Sequence, residues 1–210
     1  MITFKEYLGE GQAPGLDDDL PNLIDVIKRD CAPFLKQGGS KPLWRGMRSQ
    51  STSTALNVQV NGREIFLYTK LVRQDRKPLS TSTKMHAIID DYFYEKFGLR
   101  ARTQGVFGYG QEGRKYVEEF GEPYAVFPIG DFKYVWSPKV KDLTYNMWSL
   151  TSEQQKAADP AFMKEYLDSK KYKTNGLKAA LKTDHEISVL CNKFYSLKAK
   201  DYDAFMKEFQ

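Results

Sequence analysis

Residues 183–197 read TDHEISVLCNKFYSL, and this stretch decides how the rest of the chain is read. Side chains alternate across a strand with period 2, so Asp184 and Glu186 share one face and His185 takes the other. The segment that follows, ISVLCNKFYSL, reads as strand, turn and strand. Two carboxylates at the mouth of a strand are either a solvated edge or a catalytic pair. The strands elsewhere are mixed with helices without the regular alternation of a doubly wound sheet, which places the chain in the α+β class.

Working outward, KDYDAFMKEF, residues 200–209, is an expected last helix, and 151–182 are polar and helix-like around a KKYKTNG loop. GVFGYG and EPYAVFPIGDFKYVW read as strands separated by a charged turn or short helix near 111–120. RKPLSTSTKMHAIIDDYFYEKFG changes character midway. A Ser/Thr cluster ends a strand and leads into a helix carrying Met85, Ile88, Ile89, Tyr92 and Phe93, with Ser82 or Thr83 as its N-cap and Gly98 closing it. GREIFLYTKLVR is a strand or strand pair after a VNGRE turn, and PLWRGM a short strand carrying Arg45. LPNLIDVIKRDCAPFLKQ is the first helix of the body, residues 11–210. Before it, MITFKEYLGE is a short amphipathic helix, detached from the body by GQAPG and an acidic run.

At 210 residues the chain is long enough for one domain with a sizeable core. Hydrophobic residues make up 41% and charged ones 28%, a folded rather than disordered composition. No apolar run approaches the roughly 20 residues that span a bilayer, and no secretory signal is present; a soluble, intracellular protein without a membrane partner is expected. Two cysteines and two histidines far apart argue against both a disulfide framework and a metal site. The net charge of +5 is uneven: residues 41–84 hold nine Lys/Arg against Glu64 and Asp75, whereas residues 1–30 hold three against seven Asp/Glu. A basic block of this kind suits a phosphate-bearing ligand or nucleic acid, or is a solvated positive face.

Three features fall in order along the chain: Leu43-Trp44-Arg45-Gly46, then Ser80-Thr81-Ser82, then Asp184-His185-Glu186. In these residues the chain resembles the mono-ADP-ribosyltransferases of the Arg, Ser-Thr-Ser, Glu class, a group that includes bacterial toxins and enzymes of T-even-like phages. KPLWRGM looks like the arginine strand, PLSTSTKMHAI like the Ser-Thr-Ser segment and its helix, and DHEISVLCNKFYSL like the catalytic strand pair. The resemblance implies a split-sheet α+β core with a cleft for NAD, used as substrate. It implies that Arg45, beside Gly46, holds a phosphate, with Thr81 and Ser82 also at the cofactor. Ser80 would orient Glu186, and Glu186 would stabilise the cation left when nicotinamide departs. Tyr92 or Phe93 would stack on nicotinamide. Asp184 stands where arginine-modifying members usually carry Glu, so the acceptor expected is an arginine of a host protein, with a nucleic-acid base as the alternative. A competing glutamate, Glu122 in GEPYAVFPIG, also precedes a strand; Glu186 is preferred for the strand, turn and strand behind it. An earlier STST, at 51–54, leads into ALNVQVNG with no suitable helix. A non-catalytic phage internal protein that holds DNA or protein is the rival from another class.

MITFKEYLGE in turn resembles the capsid-targeting peptides of T-even-like phage internal proteins. The resemblance implies cleavage by a prohead protease after Leu8-Gly9-Glu10, packaging in the virion and delivery into the host cytoplasm with the DNA.

Overall fold

The computed structural model describes residues 20–48, 54–60, 63–78, 81–148 and 159–209. The expected N-terminal helix, the linker after it and Ser80 lie outside them. The segment expected as one first helix forms two, α1 (Leu20–Asp30) and α2 (Ala32–Gly38). Pro33 sits in the opening turn of α2, where its missing N–H is tolerated, whereas inside a continuous helix its ring would crowd the carbonyl of Arg29. Then come β1 (Leu43–Met47), β2 (Thr54–Val60) and β3 (Arg63–Leu71), followed by α3 (Thr83–Phe97) and α4 (Ala101–Gln104). Ser82 caps α3, accepting from the Met85 amide at 3.2 Å, and Gly98 ends it with φ 68°. β4 (Val106–Tyr109) leads through two 3-10 turns, Gln111–Gly113 and Tyr116–Phe120, to β5 (Glu122–Pro128) and β6 (Lys133–Trp136). The chain closes with α5 (Leu143–Trp148), α6 (Pro160–Ser169), α7 (Leu177–Ala180), β7 (Glu186–Leu190), β8 (Lys193–Lys198) and α8 (Ala199–Phe209).

The strands form one antiparallel eight-stranded sheet in the order β2-β3-β8-β5-β1-β4-β7-β6. β1 is in register with β5 over five residue pairs but meets β4 at one, Trp44 opposite Tyr109. β7 and β8, consecutive in sequence, are therefore not a hairpin: β7 pairs with β4 and β6, and β8 with β3 and β5. In a flat sheet four strand spacings would separate them by about 19 Å. The three Cα steps from Leu190 to Lys193 reach at most about 11 Å. The sheet must therefore fold over between its two halves, and the sparse β1–β4 junction is where it does so. Gly108 permits the close crossing there, because a Cβ on it would stand 2.6 Å from the Trp44 carbonyl.

The larger core packs α1, α2, α7 and α8 against the β2-to-β1 half and reaches across the fold. Leu43, Trp44, Leu67, Phe127, Leu197 and Phe205 are fully buried in it. A second cluster, beneath α3, α5 and α6, gathers Ile89, Phe93, Leu143, Met163 and Leu167. Both cysteines are buried, and burial pushes each thiol up to about 12. Among the described residues no helix is long and apolar enough to cross a membrane, and no three His, Cys, Asp or Glu side chains are grouped to hold a metal ion.

Candidate active site

Where β1 parts from β4, a cleft of about 560 Å³ opens, within the usual size of a ligand pocket. Two guanidinium groups bond backbone carbonyls of the β4 segment at this parting. Arg45 donates to the Phe107 carbonyl and Arg76 to that of Gly105. Side-chain donors thus tie the parted strands together. Burial lowers the Arg45 pKa, and burial together with the nearby Arg45 and Arg102 brings Arg76 down to about 10. Among the described residues neither makes an ion pair within 4.0 Å. Cations crowded in this way are stabilised by an anion placed among them.

The opposite wall carries Glu186, the first residue of β7. Its amide donates to the Lys141 carbonyl at 2.8 Å. Its Oε1 lies 3.2 Å from Arg102 Nη1, and its Oε2 accepts from the Leu143 amide at 3.0 Å, at the start of α5. Its side chain is 12% exposed. Burial raises its pKa, while Arg102 acts against that rise. Each carboxylate oxygen offers about two lone-pair directions, so neither is saturated by its one bond. Behind Glu186 a small void of about 10 Å³ is lined by Phe93, Phe107 and Tyr172.

Arg102 is itself fixed from two sides. Asp90, on α3, accepts from the Arg102 and Thr103 amides at 2.7 and 3.2 Å and from the Thr103 hydroxyl at 2.7 Å. Ser188 of β7 donates to the Ala101 carbonyl at 3.0 Å. With α4 so held, the Arg102 guanidinium lies 4.4 Å from the centre of the Phe107 ring, and that of Arg76 lies 4.7 Å from it. His86 lines the cleft from α3, and burial followed by Arg102 lowers its pKa. Asp142 accepts from the Tyr109 hydroxyl, from the Tyr116 hydroxyl at 3.4 Å and from the Tyr145 amide at 3.0 Å.

The structure brings Arg45, Gly46, Thr81 and Glu186 to this cleft. Gly46 is a packing requirement, because a Cβ there would collide with the Val117 carbonyl. Several expected residues lie elsewhere. Ser82 is an exposed helix cap outside the lining; β3 ends at Leu71, and residues 72–78, with Pro78 and its charged neighbours, form no strand. Tyr92 and Phe93 are 5% and 2% exposed. Their places on α3 turn them into the second core, where the Tyr92 hydroxyl donates to Asp168 at 2.9 Å, so neither ring reaches the cleft to stack on a ligand. Asp184 precedes β7 and does not line the cleft; its carboxylate bonds Lys141 Nζ at 2.6 Å, and that bond lowers its pKa. Glu122, the competing carboxylate, is exposed on β5, 3.1 Å from Lys198 Nζ, and does not line the cleft either. Arg76 was visible only as one charge in the basic block. Arg102, Phe107 and Asp142 carried no sequence signal.

The chain was compared with models of known protein families, with curated proteins and with solved structures, and matches none of them.

Proposed function

We propose that the chain is an NAD-dependent mono-ADP-ribosyltransferase, with an ADP-ribosyltransferase-like split of its sheet forming the NAD cleft. The observation that carries the reading is that Arg45 and Glu186, remote in sequence, line one cleft. Arg45 and Arg76, short of anionic partners, suit the diphosphate of NAD. Glu186 suits the other end of the reaction. The bond between ribose C1′ and the nicotinamide nitrogen breaks, its electron pair leaves with nicotinamide, and positive charge develops on the ribose. A fixed, ionised carboxylate beside that charge lowers the barrier. The acceptor's lone pair then forms the new bond to C1′, and the acceptor's proton is released.

Supporting this assignment, Glu186 is already oriented by Arg102 and the Leu143 amide, which reduces the reorganisation needed in the transition state. Phe107 and Phe120 are aromatic rings of the lining, in place of those first assigned to stacking. The test is release of nicotinamide from NAD by the purified chain. Slow hydrolysis without acceptor is expected, and its absence in the presence of host lysate would leave a non-catalytic binding module as the reading. Packaging into the virion rests on MITFKEYLGE alone. Protein from purified particles should begin at Gly11, and recovery with Met1 intact would dispose of the cleavage.

A further inference from the structure

The cleft carries more positive charge than a diphosphate needs. Seven cationic side chains line it, against the two carboxylates Asp142 and Glu186. They divide by depth. Arg45, Lys70, Arg76 and Arg102 are partly buried, whereas Arg48, Arg73 and Lys77 are exposed at the mouth. None of these three makes an ion pair within 4.0 Å among the described residues. Aromatic surface lies at the same mouth. Phe120 lines it with 39% of its surface exposed and stacks on Tyr109 with ring planes 5° apart. Tyr116 lies against Phe120, and the 47% exposed Tyr145 lies beyond it.

We infer that the mouth is a track for single-stranded nucleic acid, and that a polynucleotide is the acceptor of the proposed transfer. The acceptor half of this statement rests on the NAD reading; the binding half does not. Exposed cations without carboxylate partners suit a chain of phosphates, and an exposed ring in the same lining offers a face to an unstacked base, the combination that single-strand binders use. Because these groups line a concave cleft, a flexible strand can present a base inward while its phosphates follow the rim. An arginine acceptor meets the opposite conditions. Its guanidinium would approach a strongly cationic mouth, and Asp184, the carboxylate expected to attract it, lies outside the lining and is paired with Lys141. In the transfer, a nucleophilic nitrogen or oxygen of the polynucleotide bonds to ribose C1′ as nicotinamide leaves with the electron pair of the broken bond, and the proton of that nucleophile passes to solvent.

The test uses the full chain and fluorescein-labelled oligonucleotides of mixed sequence in three arms: single-stranded DNA, single-stranded RNA and duplex DNA. Anisotropy titrations over a series of salt concentrations should show a single strand bound more tightly than the duplex, the two single-strand arms identifying which sugar is preferred. Replacing Arg48, Arg73 and Lys77 together by Gln should flatten the log affinity against log salt slope by about two, at roughly 0.7 per phosphate contact. Phe120→Ala should weaken binding roughly tenfold or more without changing that slope. Circular dichroism of both variants should match the parent. No binding of either single strand at low salt, tighter binding of the duplex, or an unchanged slope in the triple variant would overturn the track. Incubation with NAD labelled in its adenylate and an equal amount of oligonucleotide and arginine-rich peptide then separates the two readings. Label on the oligonucleotide is expected, and label confined to the peptide would overturn the polynucleotide acceptor. A strand that binds while no nicotinamide is released would defeat the NAD reading and the acceptor assignment, leaving the track standing.

Discussion

On one wall of the cleft Arg45 and Arg76 reach across the parted strands to backbone carbonyls of the β4 segment; on the other, Glu186 is held by a guanidinium and a helix amide. The first wall spends one donor of each arginine on the scaffold and leaves further donors and the whole charge for a ligand. The second wall is satisfied from within, so its carboxylate is fixed before a ligand arrives. One wall is therefore suited to binding strength and the other to rate, and substitutions should separate the two.

The largest effect is expected from Glu186→Gln. The amide keeps the shape and can still accept from Leu143, but lacks the charge that opposes a developing cation. Nicotinamide release should fall in kcat by about 10²- to 10³-fold with KM little changed. Activity equal to the parent would remove Glu186 from the chemistry. Arg45→Lys keeps a charge and loses the planar fork, so the loss should appear in KM, by roughly tenfold, about the effect of one charge-assisted hydrogen bond. A fall in kcat alone would mean that the two walls are not divided as described.

The pH profile sharpens the comparison. In the proposed reaction Glu186 acts as the carboxylate, and burial raises its pKa, so kcat/KM should rise with pH through a limb above the ordinary glutamate range. Arg102 lowers that pKa, so Arg102→Gln should move the limb to still higher pH; a limb that stayed in place would show that Arg102 does not act through Glu186. The smallest effect is expected at Asp184→Asn. Its partner Lys141 is exposed, and exposed pairs contribute little. Nicotinamide release should remain within about twofold of the parent, as for surface changes away from a site. A loss comparable to that of Glu186→Gln would return Asp184 to the site.

The contrast between the walls also marks how far the sequence could be read. Arg45 and Glu186 were legible because each sits on a strand whose apolar pattern is local, and Gly98 and Ser82 because helix ends have their own chemistry. The strand expected before Ser82 is absent from residues 72–78, where Pro78 and a charged run break the alternation. The separation of β7 from β8 could not be read locally, because pairing partners in a folded sheet are chosen by strands far away in sequence. Arg102 was invisible for the same reason. Its position depends on Asp90 and Ser188, and neither announces that partnership in its own neighbourhood.

The buried cysteines bear on how the molecule can be handled. The thiolate is the reactive form, and with both thiols pushed up to about 12 only on the order of one in a hundred thousand is ionised near neutral pH. Maleimide reagents should pass over the native chain. A single cysteine introduced at the exposed Lys77 would then be the one position to take a fluorophore, at the lip of the cleft, where its emission can report arrivals.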